Sequence, residues 1–187
     1  AGAIRHAKRQ SAGAPVMLLS PQGRLLDQAV AEQLVRHDRV ILVCGRYEGI
    51  DERVCRQMVD QELSIGNYVL SGGELAAMVV MDVVCRLIPG ALGNNQSARE
   101  DSLASGLLKY PQYTRPRDFE QAGVPEVLLS GDHAAIRRWR RRASIVQTLL
   151  KRPELLDTAE LDANDVAFLK KLQADVQTII DRHSETL

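Results

Sequence analysis

At 187 residues the chain has room for one large domain, or for a domain with an appendage. A composition of 45% hydrophobic and 26% charged residues supports a substantial core and excludes disorder as the default. The 24 Lys and Arg balance the 24 Asp and Glu, so global charge argues neither for nor against nucleic acid, and local clustering carries that question. Cys44, Cys55 and Cys85 are odd in number and lie inside apolar runs, which fits reduced, buried residues of a cytoplasmic protein better than disulfides or a zinc site. His6, His37, His133 and His183 show no ligand spacing, so no metal site is expected. No apolar run approaches the roughly 18 residues of a membrane span, and no membrane partner is expected. The opening residues do not form a signal peptide. Because the chain starts Ala-Gly-Ala without a methionine, it reads as a processed product or a fragment.

Residues 3–12 suit a helix that Gly13 and Pro15 stop. Val16 to Leu19 has the unbroken apolar character of a buried parallel strand. Ser20-Pro21-Gln22-Gly23 then reads as a loop, and Asp27 opens a helix through Ala29, Val30, Leu34 and Val35. Val40 to Cys44 is a second strand, followed by the charged loop Arg46–Arg53 and a helix to about Met58. A third strand, Glu62 to Ile65, runs into a loop holding Gly66, Gly72 and Gly73. The next helix spans about Gly73 to Leu87 and ends at Pro89-Gly90. Alternating strands and helices predict a parallel α/β sheet. Three loops, Ser20–Gly23, Gly45–Asp51 and Ile65–Gly73, follow strand ends, where ligands of such sheets bind. The glycines of the third loop suit either a tight connection with φ > 0 or a close ligand approach.

Composition changes after Leu92. Residues 93–106 form a polar, aperiodic stretch read as a mobile linker, which separates a first domain (1–92) from a helical domain (107–187). In the latter, residues 110–117 are extended, Val124 to Ser130 suits a short strand, and Asp132 caps a helix from His133 to about Leu150. A final amphipathic helix follows Asp162, with Val166, Leu169, Leu172, Val176 and Ile179 on one face.

No dinucleotide fingerprint, P-loop or nucleophile elbow is present. Arg46–Arg53 reads as a capped helix start, Arg86 as a cation at a helix C-terminus, and Asp101 as a solvated loop residue. Residues 133–152 carry seven Lys or Arg and no acid, with Trp139 among them. That pattern suits an RNA backbone and a stackable base, or else a solvated face with Trp139 turned into the core.

Longer motifs resolve these alternatives. Leu19-Ser-Pro-Gln-Gly23, Leu42–Val54, Ser64–Leu75, Arg86–Gly90, Glu100–Ser102, Tyr113-Thr-Arg-Pro116, Val127–Gly131 and Arg138-Trp139 closely resemble, in order and along the whole chain, the bacterial tRNA (guanine-N1)-methyltransferase family of the SPOUT superfamily. The resemblance implies a parallel sheet with a deep trefoil knot formed by the second and third loops, and an obligate homodimer with its active site at the subunit interface. It implies S-adenosylmethionine held by Leu18, Leu19, Ser20, Pro21, Gly45, Ile65, Gly66, Asn67, Tyr68, Val69, Leu70, Gly72 and Gly73. It also implies N1 of the guanosine 3′ of the anticodon, position 37, as the methyl acceptor, and hence the tRNA anticodon stem-loop as the partner. Asp101 is the expected general base, Arg86 the stabiliser of charge on O6, and Glu48 acts beside the donor. Ser97, His133, Arg137, Arg138 and Arg141 are the candidate RNA contacts. No residue pattern addresses a Mg2+ requirement. Three departures stand out: Asn67 where the family usually has aspartate, Ala76 where it usually has proline, and a missing N-terminal strand and glycine-rich loop. Two rival readings are a ribose 2′-O methyltransferase of the same superfamily and an inactive, truncated RNA-binding fragment.

Overall fold

Val16, Met17, Leu18 and Leu19 are all buried, as a run of apolar residues in a doubly covered strand should be. They begin the central strand β1 (Val16–Leu25). The structure is a computed structural model that describes residues 1–46, 49–91, 101–103 and 106–184. It divides into two compact units, Ala1–Ala98 and Arg99–Leu187.

In the first unit, α1 (Gly2–Gln10) precedes β1, and α2 (Gln28–Val35), β2 (Ile41–Cys44), α3 (Glu52–Met58), β3 (Gln61–Ser64) and α4 (Glu74–Cys85) follow. The sheet order is β2-β1-β3, and both pairings with β1 are parallel. Met17 and Leu19, two residues apart and therefore on one face of β1, pack with Leu63 against Val30 and Leu34 of α2 and Ala76 and Val80 of α4. Leu63 is 1% exposed, and burying such a side chain stabilises the unit by about 2–3 kcal/mol. Asp27 starts α2 by accepting the amide of Val30 at 2.8 Å.

The loop expected at Ser20–Gly23 lies inside β1, not after it. Both Leu19 and Arg24 pair with Leu63, so the four residues between them form an irregularity in the strand. Pro21 lacks a ladder donor, and Gly23 passes so close to β3 that a Cβ there would collide with the backbone of Glu62 and Leu63. The cysteines also differ from expectation. All three are free, but Cys44 and Cys85 are exposed and Cys55 is half-buried. Cys44 ends an edge strand and Cys85 ends α4, so neither is covered from all sides.

The second unit contains a small hairpin, β4 (Asp118–Phe119) and β5 (Ala122–Gly123), which the sequence reading did not anticipate. Val124 to Ser130 is not a strand: Glu126–Leu129 is a 3₁₀ helix, started by Pro125. The long helices are α5 (His133–Lys151) and α6 (Ala163–Ser184). Ile145 and Leu107 form the buried centre, and the fully buried Thr148 hydroxyl donates to the carbonyl of Ser144 and accepts the amide of Leu108. Asp162 and Asp165 cap α6 reciprocally, each carboxylate accepting the other's amide at 2.9 and 3.1 Å. On α6, Leu169 and Leu172 are half-buried, whereas Val176 and Ile179 stand exposed.

Candidate active site

The three loops that follow β1's buried half, β2 and β3 meet around one pocket of about 300 Å³ in the first unit. Its wall includes every donor-site candidate except Asn67, which is exposed outside it. Three devices fix the loops. Ser64, at the end of β3, accepts the amide of Gly66 at 3.2 Å and donates to its carbonyl at 3.1 Å. The Tyr68 hydroxyl then donates to the Ile65 carbonyl at 3.1 Å. The amide of Gly73 donates to the carbonyl of Gly45 at 3.0 Å, and Arg46 bridges to Gly72, so the second and third loops are bonded directly.

The three glycines of the third loop have different roles. Only Gly66 has a positive φ, +154°. Gly73 starts α4 at φ −77°, and its value is clearance: a Cβ there would lie 2.9 Å from Cys44 Cα. A Cβ on Gly72 would strike the Glu74 carboxylate. That carboxylate accepts Arg46 Nε at 2.8 Å, and the guanidinium holds Glu74 below the usual carboxylate range.

Sequence reasoning passed over several wall residues, among them Glu52, Cys55, Glu62 and Ala76. Glu62 and Ser64 alternate on β3, and Glu52 and Cys55 lie three apart on α3, so strand and helix spacing was the available signal. Burial, reinforced by the negative charge of Glu62 and Glu52, pushes the Cys55 thiol up. A neutral thiol is a poor nucleophile, so the wall presents no thiolate. Ala76 is buried in the first turn of α4, where a proline would also be tolerated.

The remaining candidates are distributed between the units. Arg86 is the exposed C-terminal cap residue of α4, its amide donating to the Asp82 carbonyl at 3.2 Å. Asp101 belongs to the second unit, where its carboxylate accepts Lys109 Nζ at 3.0 Å and the Lys109 amide donates to Ser102 Oγ at 3.0 Å. Glu48 and Ser97 lie outside the described residues, as does most of the 93–106 stretch. On α5, His133, Arg137 and Arg138 are exposed. Arg141 is instead turned onto α6: its guanidinium donates to the buried Asp165 carboxylate at 2.7 and 3.0 Å and to the Glu160 carbonyl at 2.7 Å. Trp139 is half-buried against Tyr113. Among the described residues no group of His, Cys, Asp and Glu is arranged to hold a metal ion, and no helix is long and apolar enough to cross a membrane.

A parallel sheet whose strand-end loops enclose a pocket, joined in sequence to a helical unit with a strongly basic helix, defines a small-ligand-binding α/β protein with a surface suited to nucleic acid. The chain belongs to the tRNA (Guanine-1)-methyltransferase TrmD family, whose profile matches residues 1–158. It is 54% identical to the tRNA (guanine-N(1)-)-methyltransferase of Geotalea uraniireducens over 173 residues, covering 92% of this chain and 70% of the relative. The protein of the same name from Moorella thermoacetica is 55% identical over 163 residues, 87% of this chain and 65% of the relative. That from Dictyoglomus turgidum is 49% identical over 175 residues, 94% and 70% respectively. The chain thus spans about two thirds of the length of these relatives.

Proposed function

We propose that this chain is the methyl-transferring and RNA-binding part of an enzyme that methylates N1 of the guanosine at position 37 of tRNA, in the cytoplasm, from S-adenosylmethionine. The observation that carries the reading is the convergence of three strand-end loops on one pocket, in a chain half identical to enzymes of that name. The pocket suits the donor chemically. Its wall combines apolar side chains such as Leu19, Ile50 and Leu70 with close-lying main chain at Gly45, Gly72 and Gly73, and Glu52 and Glu62 add negative charge for a cationic ligand. When bound, S-adenosylmethionine supplies a methyl group already activated by its sulfonium.

The protein's own residues then have two tasks. N1 of guanine carries a proton at neutral pH, and Asp101 accepts it as the nitrogen lone pair becomes the nucleophile. Arg86 offers a guanidinium to the negative charge that grows on O6. We place both in one site at the interface of a homodimer, where they serve the donor bound by the other subunit, with Glu48 beside the donor. The outward side of α4 supports such a dimer, because Leu75, Met78 and Met81 are 61%, 64% and 56% exposed. The direct bonding of the Gly45–Arg46 and Gly72–Gly73 loops supports the knotted arrangement of the family. On the RNA side, His133, Arg137 and Arg138 meet the anticodon stem-loop, while Arg141 orients α6.

The test is calorimetric titration of the chain with S-adenosylmethionine, followed by methyl transfer to tRNA transcripts carrying guanosine or adenosine at position 37. One donor per chain and methylation of N1 in the guanosine transcript alone are expected. Methyl on a ribose oxygen would favour the 2′-O reading instead, and the absence of donor binding would remove the pocket assignment.

A further inference from the structure

Tyr110 and Tyr113 lie three residues apart on the extended segment that precedes β4, and each meets a different residue of α5. The Arg140 guanidinium lies over the Tyr110 ring, 4.8 Å from its centroid, so that face is already covered. Tyr113 meets Trp139 with ring centroids 6.3 Å apart and planes tilted by 55°, a favourable aromatic pairing that leaves Tyr113 48% exposed. Trp139 itself is half-buried. The exposed arginines Arg115 and Arg117 follow Tyr113 in sequence, and Arg137 and Arg138 precede Trp139.

An exposed ring in contact with a second aromatic, among cations, has the chemistry that binds an unpaired nucleotide. The ring takes the base, and guanidinium groups take the neighbouring phosphates. A base-paired stem offers no free base face to such a ring. We propose that Tyr113, propped by Trp139, is a stacking platform for an unpaired base of the tRNA anticodon loop, an assignment that rests on the reading of this chain as a tRNA-modifying protein. Tyr113 is therefore a determinant of loop binding, distinct from the groups that touch the methyl donor.

Trp139 is the only tryptophan of the chain and reports on the platform without any substitution. Its emission should change, saturably, when an RNA hairpin carrying the anticodon stem and loop is added to the whole chain, and should stay constant with a fully paired RNA of equal length. Tyr113→Leu, which removes the ring while keeping apolar bulk, should weaken hairpin binding by about 5- to 150-fold. Tyr113→Phe should bind like the parent. Equal responses to hairpin and duplex, or unchanged hairpin affinity in folded Tyr113→Leu, would overturn the proposal. The titration reads the platform whether or not a methyl group moves. A normal hairpin response without methylation of tRNA would remove the catalytic reading and leave the stacking site standing.

Discussion

The groups proposed to bind ligands in the two units differ in kind. Around the pocket of the first unit the decisive features are main chain: strand ends, a carbonyl of Gly45 bonded to the amide of Gly73, and glycines where a Cβ would not fit. In the second unit they are side chains: an exposed tyrosine, arginines on α5, and an aspartate held by a lysine. Main chain fixes shape and is altered only by adding bulk, whereas side-chain groups are altered by removing charge or aromaticity. A small donor of constant shape suits the first strategy, and a large polyanion with one reactive base suits the second. If this division holds, single substitutions should separate donor binding from the chemistry on RNA.

The largest separation is expected at Asp101. Asp101→Asn keeps the side chain's shape and its reach to Lys109 but removes its basicity. Single-turnover methyl transfer at saturating donor and tRNA should fall by at least the roughly 10²-fold typical of a lost general base. Calorimetric donor affinity should be unchanged, because the pocket belongs to the other unit. Near-normal transfer would assign the proton to another group and break the comparison at its most informative point.

Gly73→Val should do the reverse. Its Cβ would press on the Cys44 main chain at 2.9 Å, and neither backbone can yield without moving the second loop. Overpacking of this kind costs about 1–3 kcal/mol, or roughly 5- to 150-fold in donor affinity if the strain falls on the pocket. Binding of the anticodon hairpin should stay at the parental level. Gly72→Val should be milder, since the Glu74 carboxylate that its Cβ meets is a movable side-chain end. Equal loss of donor and RNA binding in Gly73→Val would show that the units are not separable in this way.

Much of the first unit was legible because its strands are short apolar runs and its loops carry punctuating residues. The pocket followed from the rule that ligands of parallel sheets sit beyond strand ends. What escaped the sequence is clearance. Nothing local says that Gly23 passes against Glu62 or that Gly73 passes against Cys44, since both are contacts between distant segments. In the second unit Val124 to Ser130 reads as a short strand, but Glu126–Leu129 forms a 3₁₀ helix directly after Pro125. The basic helix was legible as a charge cluster, yet its cations serve different ends. Arg141 reaches Asp165, 24 residues away, and Arg140 covers Tyr110, so pattern alone could not assign them. Family motifs supplied the roles of Asp101 and Arg86, which their local sequence leaves as ordinary surface charges.

The smallest expected effect compares the helix starts of the two units. Gly73 begins α4 without a side-chain cap, whereas Asp132 begins α5 by accepting the amides of Ala134 and Ala135 at 2.9 and 3.0 Å. The bond from Ala135, followed by that from Ala134, holds the Asp132 carboxyl below its ordinary value of 3.8. A carboxylate depressed in the folded state contributes stability that is present in full above its ordinary value and is lost as pH falls through the lower, folded one. Asp132→Asn preserves a capping acceptor but does not titrate. Trp139, within α5, reports the melting of this helix. The melting temperature should be slightly higher in the parent than in Asp132→Asn at neutral pH, and the gap should close as pH falls below about 4. Asp132→Ala, with no acceptor, should melt lower than Asp132→Asn at neutral pH. A gap between parent and Asp132→Asn that widened toward acid would mean that the charged carboxylate does not stabilise the start of α5.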